Sequence, residues 1–209
     1  MSEKELIWQK FSALGLAPED ARELANTASI QHYEPGELLY KDTSSCQGFF
    51  VIQSGELRAF ALSESGKEIT LFSLREGDEC ILCSLCVSPE LGNRVSLQAR
   101  TPLTLIIIPP KTFISVRERS AVLTNYALAL ISRRFSEAIS VMTSALFSPL
   151  SARISEFLAS RSDGGIVRVT HEEIASEIGS VREAVSRVLK EMERAGQIEL
   201  GRGKIVLLS

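Results

Sequence analysis

A chain of 209 residues with a formal net charge of −3, 44% hydrophobic and 23% charged, has the make-up of an ordinary folded protein, long enough for one large or two small domains. Bulk charge excludes a polycation. From residue 149 onward nine basic side chains balance nine acidic ones, so any grip on nucleic acid has to come from a local basic face.

Residues 3–28 predict helix, with Leu6, Ile7, Phe11 and Leu14 on one face and Ala21, Leu24 and Ala28 following a start at Pro18. The opening MSEKELIWQK has no secretory core, and the longest apolar run, PLTLIIIPP, is too short to span a bilayer. A cytoplasmic protein with no membrane attachment is therefore expected. Its four cysteines, Cys46, Cys80, Cys83 and Cys86, are then expected as reduced thiols or ligands rather than a disulfide framework.

From Ile30 the pattern changes to short strands: GELLY, GFFVIQSGELRAFAL, KEITLFSL, VSLQART and LTLIII. Gly36, Gly48, Gly55, Gly66, Gly77 and Gly92 mark the turns. Regularly spaced strands of this kind predict a small antiparallel barrel or sandwich. After Pro109-Pro110 one long helix is expected, ended by Pro149. Along it Ala121, Thr124, Leu128, Ile131, Phe135, Ala138, Met142 and Ala145 alternate steps of three and four, the seam of a coiled coil. That spacing predicts a dimer interface through Leu128, Ile131, Phe135 and Met142. The competing reading buries the helix against its own barrel through Leu123, Leu130, Ile139 and Leu146.

The remainder predicts a short amphipathic helix (Leu150, Ile154, Phe157, Leu158), the turn SDGG and the strand IVRV. Thr170 with Glu173 has the spacing of a capping box, opening a helix whose Ile174, Ala175 and Ile178 face inward and which Gly179 breaks. The next helix carries an apolar stripe of Val181, Val185, Val188, Leu189 and Met192, with Arg182, Glu183, Ser186, Arg187 and Lys190 on the other side. QIEL, GRG and KIVLL close the chain as a hairpin. This order is a winged helix-turn-helix, which makes the Arg182–Lys190 face the reading face. Arg182 can bond guanine O6 and N7 together, Glu183 can accept from cytosine N4, and Ser186 can take a base edge or phosphate. Arg187 and Lys190 can hold the backbone. Ser180 and Glu183 also match a capping box, which would turn Glu183 inward to its own helix.

The fold class expected is α+β: an N-terminal antiparallel β-roll over 1–118, a dimerisation helix over 119–148 and a winged helix over 149–209. The stretches EPGELLYKD, FFVIQSGELRAF, REGD, THEEIASEIG and VREAVSRVLKEMERAGQIEL, in that order, resemble the Crp/Fnr family of bacterial transcription regulators from about residue 15 to the end. The resemblance implies a cyclic-nucleotide-binding-like jelly roll, a homodimer and a palindromic promoter site on double-stranded DNA with TGA-type half-sites. It also implies RNA polymerase as a partner and no enzymatic role. Arg182, Glu183, Ser186 and Arg187 stand at the positions with which the family reads DNA.

The resemblance also frames the effector. Cyclic-nucleotide members carry a Gly-Glu pair for the ribose and Arg-Ser/Thr-Ala for the phosphate. Here the segment reads CILCSLC and Arg94 is followed by Val95-Ser96, so cyclic AMP is not expected. The oxygen-sensing members' N-terminal cysteine cluster is absent, since no cysteine precedes Cys46. Cys80, Cys83, Cys86 and Arg94 are the effector-region candidates. The three thiols either pack the roll or sense metal or oxidation, with iron–sulfur, haem and zinc all open. A helical segment would bring the three sulfurs to one face; a strand would turn Cys83 away from Cys80 and Cys86. Two other functions compete with a switched regulator. One is a module acting through protein partners. The other is a thiol-redox protein, which lacks the βαβ context that such chemistry uses.

Overall fold

The computed structural model describes residues 2–39, 48–81 and 95–208. The chain divides into two compact units. One runs to Ala59 and resumes over Phe72–Glu137; the other takes Phe60–Leu71 and the chain from Ala138 onward.

The first unit opens with helices α1 (Glu3–Ala13) and α2 (Pro18–Thr27), followed by strand β1 (Ser29–Tyr33). In chain order strands β2 (Phe49–Ser54), β3 (Leu57–Leu62), β4 (Glu68–Leu74), β5 (Glu79–Cys80), β6 (Ser96–Ala99) and β7 (Leu103–Ile108) follow, with residues 60–62 of β3 and 68–71 of β4 counted in the second unit. They form a sheet in the order β1-β7-β2-β5, its neighbours all antiparallel, and a second in the order β4-β3-β6. This is the expected roll, with two differences. Ser29–Tyr33 is a full strand, whereas the described part of GELLY contributes a single bridge, Leu38 to Gln98.

Phe49, Phe50, Val51 and Ile52 are all buried because β2 is covered on both faces. Phe49 stacks on Phe113 at 4.9 Å between ring centroids, and Phe11 tilts onto Phe49 at 5.6 Å. Gly48, just before β2, has φ +116°, and a Cβ there would fall 2.0 Å from the Ile108 carbonyl oxygen, so only glycine fits this start.

The single helix expected after Pro110 is two helices, α3 (Pro110–Arg119) and α4 (Ala121–Phe147). Ser120 separates them in an extended conformation. Its hydroxyl accepts from the Leu123 amide at 3.3 Å, the habit of a serine that competes with the helix and starts a new one.

The second unit holds α5 (Leu150–Arg161), α6 (His171–Ile178) and α7 (Arg182–Arg194), with strands β8 (Ile166–Val167), β9 (Ile198–Gly201) and β10 (Lys204–Leu207) in the order β8-β10-β9. Ile154, Leu158, Ile174, Val185, Leu189 and Ile205 centre its core. Arg153 donates to the carbonyls of Ala145, at 3.2 Å, and Ile178, joining α5 to the ends of α4 and α6. Among the described residues no helix is long and apolar enough to cross a membrane.

The capping box at α6 forms as its spacing predicts. Thr170 Oγ1 accepts from the Glu173 amide at 3.1 Å, and the Thr170 amide donates to Glu173 Oε2 at 2.6 Å. Thr170→Ala is expected to lower unfolding free energy by about 1 kcal/mol, the usual loss for an N-cap. Urea titration of wild type and variant checks this; an unchanged midpoint would show that the cap contributes nothing here.

Candidate nucleic-acid interface

Gly179 ends α6 in the left-handed conformation at φ +67°, which lets the chain turn at once into α7. The N-cap of α7 is Val181, with no side-chain cap bond, so the Ser180–Glu183 capping box is not formed and Glu183 stays exposed. Val181 itself is exposed, unlike the rest of its predicted stripe. It precedes the first helical turn, where the helical period no longer sets direction. Val185, Leu189 and Met192 are buried in the domain core, and Val188 is half-buried against it.

On the opposite face Arg182, Glu183, Arg187 and Lys190 are exposed and Ser186 is half-buried. These five side chains together line a concavity of about 440 Å³. A second concavity, of about 340 Å³, adjoins Arg182 and is lined by Thr170, His171, Glu172, Gly203 and Lys204, between the start of α6 and the β9–β10 hairpin. Three cations and one carboxylate in a row supply donors for guanine and phosphate and an acceptor for an amino group.

His171 enters the site although its stretch, THEEIASEIG, gave it no role of its own. Its Nδ1 lies 2.8 Å from Ser186 Oγ, across the helix-turn-helix. The only local hint was its place directly after the N-cap, at the helix end that must approach α7.

Helix α4 has two working faces. Leu123, Ala127, Leu130 and Arg134 are buried in the first unit, as the competing reading expected for Leu123 and Leu130. That reading does not hold for Ile139 and Leu146, which are exposed. Leu128, Phe135 and Met142 of the predicted seam are 55%, 66% and 53% exposed. Ile131 differs: it is half-buried and packs against the core of the first unit. At 100° per residue Leu128, Phe135, Ile139, Met142 and Leu146 fall on one stripe. The predicted seam drifts off that stripe because a straight helix turns every 3.6 residues, not 3.5.

Of the effector-region candidates, Cys80 is buried in β5, in register with Phe50 of β2. Cys83, Cys86 and Arg94 lie outside the described residues, as does Cys46. Among the described residues no group of three or more His, Cys, Asp or Glu is placed to hold a metal. Immediately before Cys80, the Glu79 carboxylate pairs with Lys10 Nζ, and the Glu79 carbonyl accepts from Arg134 Nη2 at 3.2 Å. Burial pulls the Lys10 ammonium below its ordinary pKa, opposed by the nearby Asp78 charge. Arg134 also donates from Nη1 to both Glu137 oxygens, at 3.0 and 2.8 Å, and its guanidinium lies 5.1 Å from the Phe72 ring centroid.

Residues 30–120 match the model of the cyclic nucleotide-binding domain, and residues 152–209 that of the Crp-like helix-turn-helix domain. The chain is 25% identical over 194 residues to the cyclic AMP receptor protein of Thermus thermophilus, covering 91% of this chain and 89% of that protein. It is 48% identical over 52 residues to the transcriptional regulator SdrP of the same organism, covering 24% and 26% respectively. Among solved structures, a chain described as a transcriptional regulator of the Crp/Fnr family from Eubacterium rectale superposes with a TM-score of 0.86. That chain is 29% identical, with 93% of this chain and 92% of that one covered.

CILCSLC contains no acidic residue in its sequence, and the Glu79 carboxylate just ahead of it pairs with Lys10. An effector domain of this fold, followed by a Crp-like winged helix with its polar face exposed, makes the chain a member of the Crp/Fnr family of signal-switched, DNA-binding transcription regulators.

Proposed function

We propose that the chain acts as a homodimer that reads a palindromic promoter site with TGA-type half-sites through α7, under control of a small-molecule or redox signal received by the β-roll. The observation that carries this reading is the convergence of Arg182, Glu183, Ser186, Arg187 and Lys190 on one concave face of α7. Arg182 and Glu183 specify bases, Ser186 takes a base edge, and Arg187 and Lys190 hold phosphates. Leu128, Phe135 and Met142, joined by Ile139 and Leu146, form the seam that pairs two copies, with Ile131 at its margin.

Functionally the chain is then a sensor over 1–118, a pairing helix over 119–148 and a reader over 149–209, with RNA polymerase as the partner acted upon. The signal enters at the segment that begins at Cys80 and includes Cys83, Cys86 and Arg94. Its thiols respond to metal or oxidant. The tie from Arg134 to the Glu79 carbonyl supports this route, because it joins the pairing helix to the residue before Cys80.

Selection of bound sequences from a randomised DNA pool tests the reading. Two inverted half-sites, with centres about one helical turn apart, are expected for a two-fold dimer. Recovery of a single asymmetric half-site, or of no consensus at all, would overturn it.

A further inference from the structure

We propose that His171 is a specificity-positioning residue: it holds the Ser186 hydroxyl with its hydrogen turned inward, so that Ser186 meets DNA only as an acceptor. The proposal rests on the reading of Ser186 as a base-facing residue. Ser186 sits one turn into α7, and it lines the same concavity as Arg182, Glu183, Arg187 and Lys190. His171 is the first residue of α6, fifteen residues away in sequence. Its position is set by the capping box on Thr170 and Glu173, which fixes where α6 begins.

A serine hydroxyl has one hydrogen and two lone pairs, and it rotates to suit its partner. Left free in a major groove it would serve guanine O6 or thymine O4 as a donor and adenine N6 or cytosine N4 as an acceptor, and so would discriminate little. A fixed partner on its inner side removes that freedom. The separation of 2.8 Å between His171 Nδ1 and Ser186 Oγ is a full hydrogen bond, and the tautomer of His171 sets which of the two donates. In the arrangement proposed, His171 carries its proton on Nε2, so that Nδ1 accepts and Ser186 donates. The lone pairs of Oγ then point outward, toward an amino group and against a carbonyl.

The experiment uses the full-length protein and the selected palindrome, varied at each half-site position, with affinities measured for wild type, Ser186→Ala, His171→Ala, His171→Asn and the His171→Ala/Ser186→Ala double variant. Wild type is expected to prefer an amino-bearing base at one position by about fivefold per half-site, the discrimination of a single net hydrogen bond. Ser186→Ala and His171→Ala should flatten that same position equally, and the double variant should flatten it no further. His171→Asn should retain the preference, because its Oδ1 takes the place of Nδ1 and accepts the same hydrogen.

If His171→Ala weakens every sequence alike and the preference survives, His171 is a phosphate contact and the proposal falls. A preference for a keto-bearing base at that position also overturns it, as does loss of the preference in His171→Asn. Should Ser186→Ala leave every preference intact, the base-facing assignment of Ser186 fails and takes the proposal with it. Should Ser186→Ala flatten the position while His171→Ala does not, the proposal alone fails.

Discussion

Phe135→Asp is expected to leave a folded monomer that binds the palindrome about 10²–10⁴-fold more weakly than wild type, since the second half-site is no longer presented at high effective concentration. Phe135 is 66% exposed on the single chain and sits mid-stripe between Leu128 and Met142, so the fold does not need it. Two copies related by a two-fold axis along this stripe would bring two carboxylates together in an apolar interface, which neither can enter charged without a partner. Leu130→Asp provides the contrast. Leu130 is buried in the first unit, and the same charge there should unfold the chain rather than separate it. Ile131 is a poorer probe than the heptad spacing implies, because it packs on that core as well. Sedimentation at micromolar concentration, with far-ultraviolet circular dichroism for fold, checks both variants. Phe135→Asp remaining a dimer with wild-type affinity would place the pairing surface elsewhere.

Arg182→Ala should cost about 1–3 kcal/mol on the correct half-site and relax the preference at one guanine, the signature of a lost bidentate contact. Lys190→Ala should instead weaken all sequences by a similar factor and lower the slope of log affinity against log salt by about one per site contacted. The two residues lie on the same exposed face of α7, two helical turns apart, so a general loss of structure cannot separate them in this way. Titrations of matched and mismatched duplexes at three salt concentrations read out both effects. If Arg182→Ala changes neither affinity nor preference, α7 is not the reading helix.

Local chemistry made much of the second unit legible. Thr170 and Glu173 announce a capping box, Gly179 a left-handed stop, and Val185, Leu189 and Met192 a buried stripe. Each signal involves residues within a few positions of one another, and backbone geometry alone decides them. The strands of the roll were legible for the same reason, with glycines at the turns and apolar residues between them.

The exposure of α4 was legible only in part: the heptad spacing pointed outward at Leu128, Phe135 and Met142 but also at Ile131, because an apolar side chain at a heptad position can turn toward its own core or toward a partner. Packing in the first unit resolved this. Leu123, Ala127 and Leu130 are taken up by the helices and strands around Phe49 and Phe113, which leaves Leu128, Phe135 and Met142 uncovered. The sequence pattern reads Ser120 as one residue inside a single helix, although serine is a residue that caps a new one. Its hydroxyl had to win the Leu123 amide from the backbone.

By itself, then, the sequence determined the winged helix and the polar face of α7, both consequences of short-range periodicity and capping. Tertiary structure decided which face of α4 stays uncovered, that Arg134 grips the carbonyl of Glu79, and that His171 meets Ser186. Those contacts join residues 55 and 15 positions apart, and they exist only once separate elements have packed and brought their side chains within hydrogen-bond reach.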